Sequence, residues 1–247
     1  MRRFFILLKN EMKLSIRDMN MIIFALLMPL AILVILGIIY GAKPAYDGAP
    51  YTFMEQSFGA ACAVSMCAGG LMGLPLVVSD YRERKILKRF RVTPVSPALL
   101  LGAELTVYIL YCAASLATLG ITAALFWKVR IYGSVWAFLG SWLITMLSTL
   151  SIGMLVGGLA KNSKQAGVIA SVLYFPMLIF SGTTLPVEVM PRMMQKAVSL
   201  FPLTQGITLM KNAFLGISAG NVLLPAAVMT GVMILCTGLA IRFFQWE

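Results

Sequence analysis

The chain has 247 residues, of which 60% are hydrophobic and 12% charged, and its mean hydropathy is +0.90, whereas a soluble domain carries roughly a quarter charged residues. A helical crossing of the bilayer takes about 20 residues, so a handful of spans uses nearly the whole chain and leaves one membrane domain, 1–247, with no room for a sizeable soluble one. The formal charge of +11 does not point to nucleic acid, because the basic residues fall between apolar runs rather than along one face of a compact domain.

Catalysis within this chain is not expected. There is no His, which removes the commonest general base and any Ser-His-Asp or Cys-His arrangement. No G-x-x-x-x-G-K-[ST] phosphate cradle occurs, so any nucleotide must be bound by another polypeptide. Cys62, Cys67, Cys112 and Cys236 lie in hydrophobic runs without a C-x-x-C pair, which predicts packing residues and no metal site.

In chain order, residues 1–20 place Phe5, Leu8, Met12, Ile16 and Met19 on one helical stripe and Lys9, Lys13 and Arg17 on another, the pattern of an amphipathic helix lying at the membrane interface. A cleaved signal peptide is the competing reading, but the apolar run Phe4 to Leu8 is short and no small-residue cleavage site follows. Six spans are predicted over 21–41, 57–79, 98–127, 134–160, 166–186 and 222–244. With the first residues inside, fourteen Lys and Arg fall on the inner side and six on the outer, which puts both termini in the cytoplasm of a multi-pass protein of a bacterial inner or plasma membrane.

Between the second and third spans lies DYRERKILKRFRVTPVSP, Asp80 to Pro97, with six of the twenty Lys and Arg residues. Ser79 and Asp80 are expected to cap a short helix with Glu83 in its first turn, and Ile86, Leu87 and Phe90 then share a face. Ser96 and Pro97 provide a new N-cap and first-turn proline for the third span. The segment reads as a docking helix for a partner protein; a plain positive-inside anchor on anionic headgroups is the alternative. Between the fifth and sixth spans, residues 187–221 carry two apolar stripes, Met194, Ala197, Val198 and Phe201, then Ile207, Met210, Ala213 and Phe214. They predict two short extracellular or re-entrant helices, with a surface loop as the alternative.

Glu104 stands out inside an apolar run, where a charge costs about 2.5–3.5 kcal/mol at the helix centre. An interfacial position near Lys and Arg, a place in an inner gate or substrate route, and proton coupling are the three readings open to it. Gly69 with Gly73 and Gly153 with Gly157 permit close helix approach, with packing inside the subunit favoured. Pro29, Pro75 and Pro176 predict kinks, and the seventeen Met residues predict packing and lipid contact rather than a substrate surface.

The close Arg89-Phe90-Arg91-Val92-Thr93-Pro94-Val95-Ser96 resembles the R-F/L-x-V-T-P-x-S end of the coupling segment in ABC-2 type transporter permeases. Family members often place a Gly-Thr pair where this chain has Lys85 and Ile86. Ser181-Gly182, Leu185-Pro186, Met190-Pro191 and Phe201-Pro202-Leu203-Thr204 are similar to the family's fifth-span exit and outer half-helices. The resemblance implies an all-α membrane protein of six transmembrane helices with an interfacial N-terminal helix, a coupling helix and outer half-helices. It implies pairing as a dimer with a second copy or close relative, and docking of separate ATP-binding cassette subunits, which would hold ATP and Mg.

Under that resemblance Asp80, Arg82, Glu83, Ile86, Leu87, Phe90 and Arg91 couple to the ATPase subunit, and Glu104, Gly182, Pro186 and Pro202 belong to a gate or substrate route. The implied function is ATP-driven efflux of a hydrophobic or amphipathic molecule such as a drug-like compound, peptide or lipid. Polysaccharide or sodium export within the same family, an ATP-independent carrier working through Glu104, and a non-transporting scaffold are the alternatives.

Overall fold

The computed structural model describes residues 2–41, 43–46, 48–86, 96–180, 192–217 and 222–243. Among them the chain is almost entirely helical, and the only pairing of extended backbone is an isolated bridge between Pro44 and Thr52. The helices are α1 (Arg2–Arg17), α2 (Ile23–Tyr40, after a short Met19–Ile22 lead-in), α3 (Phe53–Glu83), α4 (Pro97–Trp127), α5 (Val135–Leu159), α6 (Ser163–Phe180), α7 (Arg192–Val198), α8 (Pro202–Leu215) and α9 (Leu223–Phe243). Six of these, α2 to α6 and α9, are long and apolar enough to cross a bilayer.

The first helix forms where the sequence predicts it, but the side that packs is different. Leu7 and Glu11 are buried, with Phe4, Leu8 and Met12 half-buried against the core, while Phe5, Ile16 and Met19 are exposed. A helix at an interface must satisfy two apolar surroundings, and here one flank rests on protein while Phe5, Ile16 and Met19 face outward.

Helices α2 and α3 each contain a widened π-helical turn, Ile23–Leu27 and Ala68–Gly73, directly before Pro29 and Pro75. Proline has no N–H to donate to the carbonyl four residues back and its ring crowds that carbonyl, so a wider turn relieves both problems. At Pro29 the carbonyl concerned is that of Ala25, and it accepts the buried hydroxyl of Ser65 on α3 at 2.8 Å. The turn before Pro29 is thus stitched to a neighbouring helix.

Helix α3 is the hub. Between Gly59 and Gly70 every residue except Val64 and Met66 is Gly, Ala, Ser or Cys, and small residues let membrane helices approach closely. A Cβ added at Gly153 of α5 would fall on the carbonyl oxygen of Gly70, and one at Gly157 would come within 2.8 Å of the Val78 Cβ. Gly69 and Gly73 turn toward α4, where the ring of Tyr108 fills the space. Both G-x-x-x-G motifs therefore serve packing within one subunit, as the sequence reading favours.

At the end opposite the coupling segment, Thr52 and Glu55 form a capping box on α3, with bonds of 2.8 and 3.3 Å. The other oxygen of the buried Glu55 carboxylate accepts the Arg130 N–H at 3.1 Å. Helix α8 lies among α3, α5 and α9 rather than on the surface: Leu203, Met210 and Phe214 are buried, and Phe214 meets Phe58 and Phe138 at ring-centroid distances of 5.0 and 5.3 Å. The N–H groups of Tyr132 and Gly133 both donate to the Phe214 carbonyl at 3.0 Å. The two short helices predicted between the fifth and sixth spans are present as α7 and α8, and the second is part of the core.

Candidate coupling site

Helix α3 does not end at the polar boundary near Ser79. It continues as helix through Glu83, so the helix start expected at Ser79 and Asp80 is absent; Ser79 is buried mid-helix and donates its hydroxyl to the Leu76 carbonyl at 2.9 Å. A charged residue ends a hydrophobic run without ending a helix, because the backbone ladder is indifferent to where the hydrocarbon stops. The turn comes at Arg84 and Lys85. Lys85 adopts φ +56°, and its N–H returns to the Arg82 carbonyl at 2.9 Å. A left-handed residue just past a helix end is the position glycine occupies most cheaply, so the glycine that the family resemblance would place here suits this backbone better than Lys85 does.

Three consecutive features then hold the end of α3 in place. Arg84 Nε pairs with Asp80 Oδ1 at 2.8 Å across one helical turn on the exposed side. Arg82 points inward, and its Nη1 donates to the carbonyl oxygens of Gly157, Gly158 and Ala160 at 3.3, 2.5 and 2.7 Å. The last carbonyls of a helix have no partner within the helix and carry the negative end of its dipole, so a guanidinium there satisfies and neutralises the C-terminus of α5. Glu83 Oε2 accepts both the N–H and the hydroxyl of Ser163, at 2.9 and 3.0 Å. That places a carboxylate on the positive end of α6, as an N-cap supplied from another helix. Within the same loop, Asn162 Oδ1 accepts the Gln165 N–H at 2.8 Å and Gln165 Oε1 accepts the Lys161 N–H at 2.9 Å.

Of the residues predicted to couple to a partner, Asp80, Arg82, Glu83 and Ile86 are therefore close together at the exit of α3. Ile86 is half-buried against the core and lines a cavity beside Tyr81 and Glu11. Leu87, Phe90 and Arg91 lie outside the described residues, as do Gly182 and Pro186. Pro202 stands in the first turn of α8, behind Phe201, where a missing N–H costs nothing. Ser96 caps α4 as the sequence predicts, its hydroxyl accepting the Leu99 N–H at 3.3 Å.

Glu104 is 4% exposed, and Arg84 is among the residues that line the same cavity. Its carboxyl shares that cavity with Glu11 of α1, and Glu11 accepts the Tyr81 hydroxyl at 2.6 Å. Tyr81, Glu11 and Glu104 come from α3, α1 and α4, and the cavity, of about 540 Å³, is also lined by Asp18, Asp80 and Tyr108. A pairing 70 residues apart leaves no local signature, so Glu11 was not legible as a partner. Glu55 was passed over too, although Thr52-x-x-Glu55 before an apolar run is the capping-box pattern that would have found it.

Described residues that are almost entirely helical, with six bilayer-length helices among them, two of these packed through glycines, define a multi-pass membrane protein. The profile of the ABC-2 type transporter family matches residues 2–215, and the chain belongs to that family. It is 28% identical over 150 residues to the inner membrane transport permease YhhJ of Escherichia coli K12, covering 59% of this chain and 39% of YhhJ. The match to the putative transport permease YvfS of Bacillus subtilis is 24% over 193 residues, 78% of this chain and 77% of YvfS. Nodulation protein J of Neorhizobium galegae is 36% identical over 73 residues, 30% of this chain and 28% of that protein.

Proposed function

We propose that this chain is the transmembrane permease subunit of an ATP-binding cassette exporter. It would pair with a second copy of itself and dock separate subunits that bind ATP and Mg, moving a hydrophobic or amphipathic molecule out of the cytoplasm. Family membership over residues 2–215 supports the class, and the names of the permease relatives agree with it. The observation that carries the mechanism is the unbroken course of α3. This helix is the most buried of the six and runs from its capping box at Thr52 to Glu83, where the basic segment begins.

Displacement of the 80–97 segment by a closing pair of ATP-binding subunits would act directly on the packed centre of the permease. Spans poor in charge suit an apolar cargo. An ATP-independent carrier is the second reading, favoured by the buried Glu104 carboxyl in its acidic cavity. Co-purification from the source cell tests the docking step. The chain is expected to retain an ATP-binding cassette subunit and raise its ATPase rate, and Phe90→Ala is expected to weaken both. A chain that retains no such subunit, or a Phe90→Ala variant indistinguishable from wild type, removes the coupling assignment.

A further inference from the structure

We infer that Arg82 and Glu83 are positioning residues that transmit movement of the coupling segment to the fourth and fifth spans, α5 and α6, and are not themselves docking contacts for the ATP-binding subunit. The inference rests on the permease reading above and adds the route by which the motion spreads. Two adjacent residues of opposite charge grip the two helix ends of one loop, each matched to the dipole it meets: the guanidinium on the carbonyls of α5 and the carboxylate on the first amide of α6. Charge-assisted bonds of this kind are shorter and stronger than neutral ones, and five of them converge within residues 157–163.

The grip sits where α3 meets the turn at Arg84 and Lys85, so α3 cannot swing at that end without carrying the α5–α6 loop. Higher along the same pair of helices, Gly153 seats on the Gly70 carbonyl and Gly157 on Val78, so α3 and α5 are in contact along their length and move as one body. Helix α6 also packs on α3, with Ala166, Ala170, Tyr174 and Met177 buried, and the bonds from Ser163 to Glu83 fasten its first turn to the exit of α3.

Hydrogen exchange of the complex with its ATP-binding subunit, measured with and without a non-hydrolysable ATP analogue, tests this. In the wild type the analogue is expected to change exchange at residues 80–86 and at 160–170 together. In Arg82→Ala and Glu83→Ala the change at 80–86 is expected to remain while that at 160–170 is clearly reduced. Arg82→Lys and Glu83→Gln, which keep a donor and an acceptor, should restore part of it and keep the test open if the alanine variants fold poorly. A response at 160–170 equal to the wild type in all four variants overturns the inference. So does an Arg82→Ala chain that keeps its own melting temperature but no longer binds the ATP-binding subunit, since Arg82 would then be a docking contact. Absence of any nucleotide response in the wild-type complex would instead count against the permease reading.

Discussion

Helices α3 and α4 have the same mean hydropathy, 1.9 over their bilayer windows, yet 78% of the α3 window is buried and only 28% of that of α4. Helix α5 follows α3 at 61%, while α2, α6 and α9 stay at 22%, 22% and 17%. In lipid the surroundings are as apolar as the core, so hydrophobicity cannot sort helices into inside and outside. Residue size and hydrogen-bonding groups do the sorting. Small residues carry α3 and glycines carry its contact with α5, whereas α9 presents Ile234, Leu235 and Ile241 outward.

The contrast predicts a sharp asymmetry between glycines. Gly153→Leu forces a side chain onto the Gly70 carbonyl and is expected to cost about 3 kcal/mol, enough to deplete folded protein. Gly231→Leu on α9, where an added Cβ meets nothing within 4 Å, should stay within about 0.5 kcal/mol of wild type. Thermal unfolding in detergent compares them directly, and equal losses would break the distinction between hub and periphery.

Two polar contacts join the periphery to the hub, and their removal should fall next in size. Ser65→Ala leaves the Ala25 carbonyl below Pro29 without its hydroxyl donor, an expected loss of about 1–3 kcal/mol. Tyr81→Phe deprives Glu11 on α1 of the hydroxyl it accepts at 2.6 Å and is expected to destabilise on the same scale of about 1–3 kcal/mol in the same melting experiment. A further substitution should give a gain. Lys85→Gly relieves the φ of +56° at the exit of α3 and is expected to stabilise by about 0.5–1 kcal/mol. A loss there would show that the lysine side chain makes a contact worth more than the strain.

The six spans, the N-terminal amphipathic helix and the two short helices between the fifth and sixth spans were legible because each leaves a local trace in the sequence: length, period or a bounding proline. The error at Ser79 had a physical origin. Hydropathy locates the edge of the apolar run, and α3 continues past that edge for a further turn to Glu83. Arg82 and Glu83 were recognised as part of the coupling segment, but their hold on Gly157, Gly158, Ala160 and Ser163 joins residues 75–80 positions apart and has no periodicity to read. Ser65 looked like one more small residue of α3 for the same reason. The position of Lys85 was visible only as a departure from the family's glycine, and its backbone angle explains what the departure means.

The central claim is that force for transport enters through the end of α3 from ATP bound on another chain. The most direct measurement reconstitutes this chain with its ATP-binding subunit in vesicles and follows a lipophilic fluorescent dye with ATP and a proton gradient controlled separately. The account predicts dye movement that requires both ATP and the ATP-binding subunit and survives dissipation of the gradient. Movement that continues without nucleotide and stops when the gradient is collapsed would contradict it.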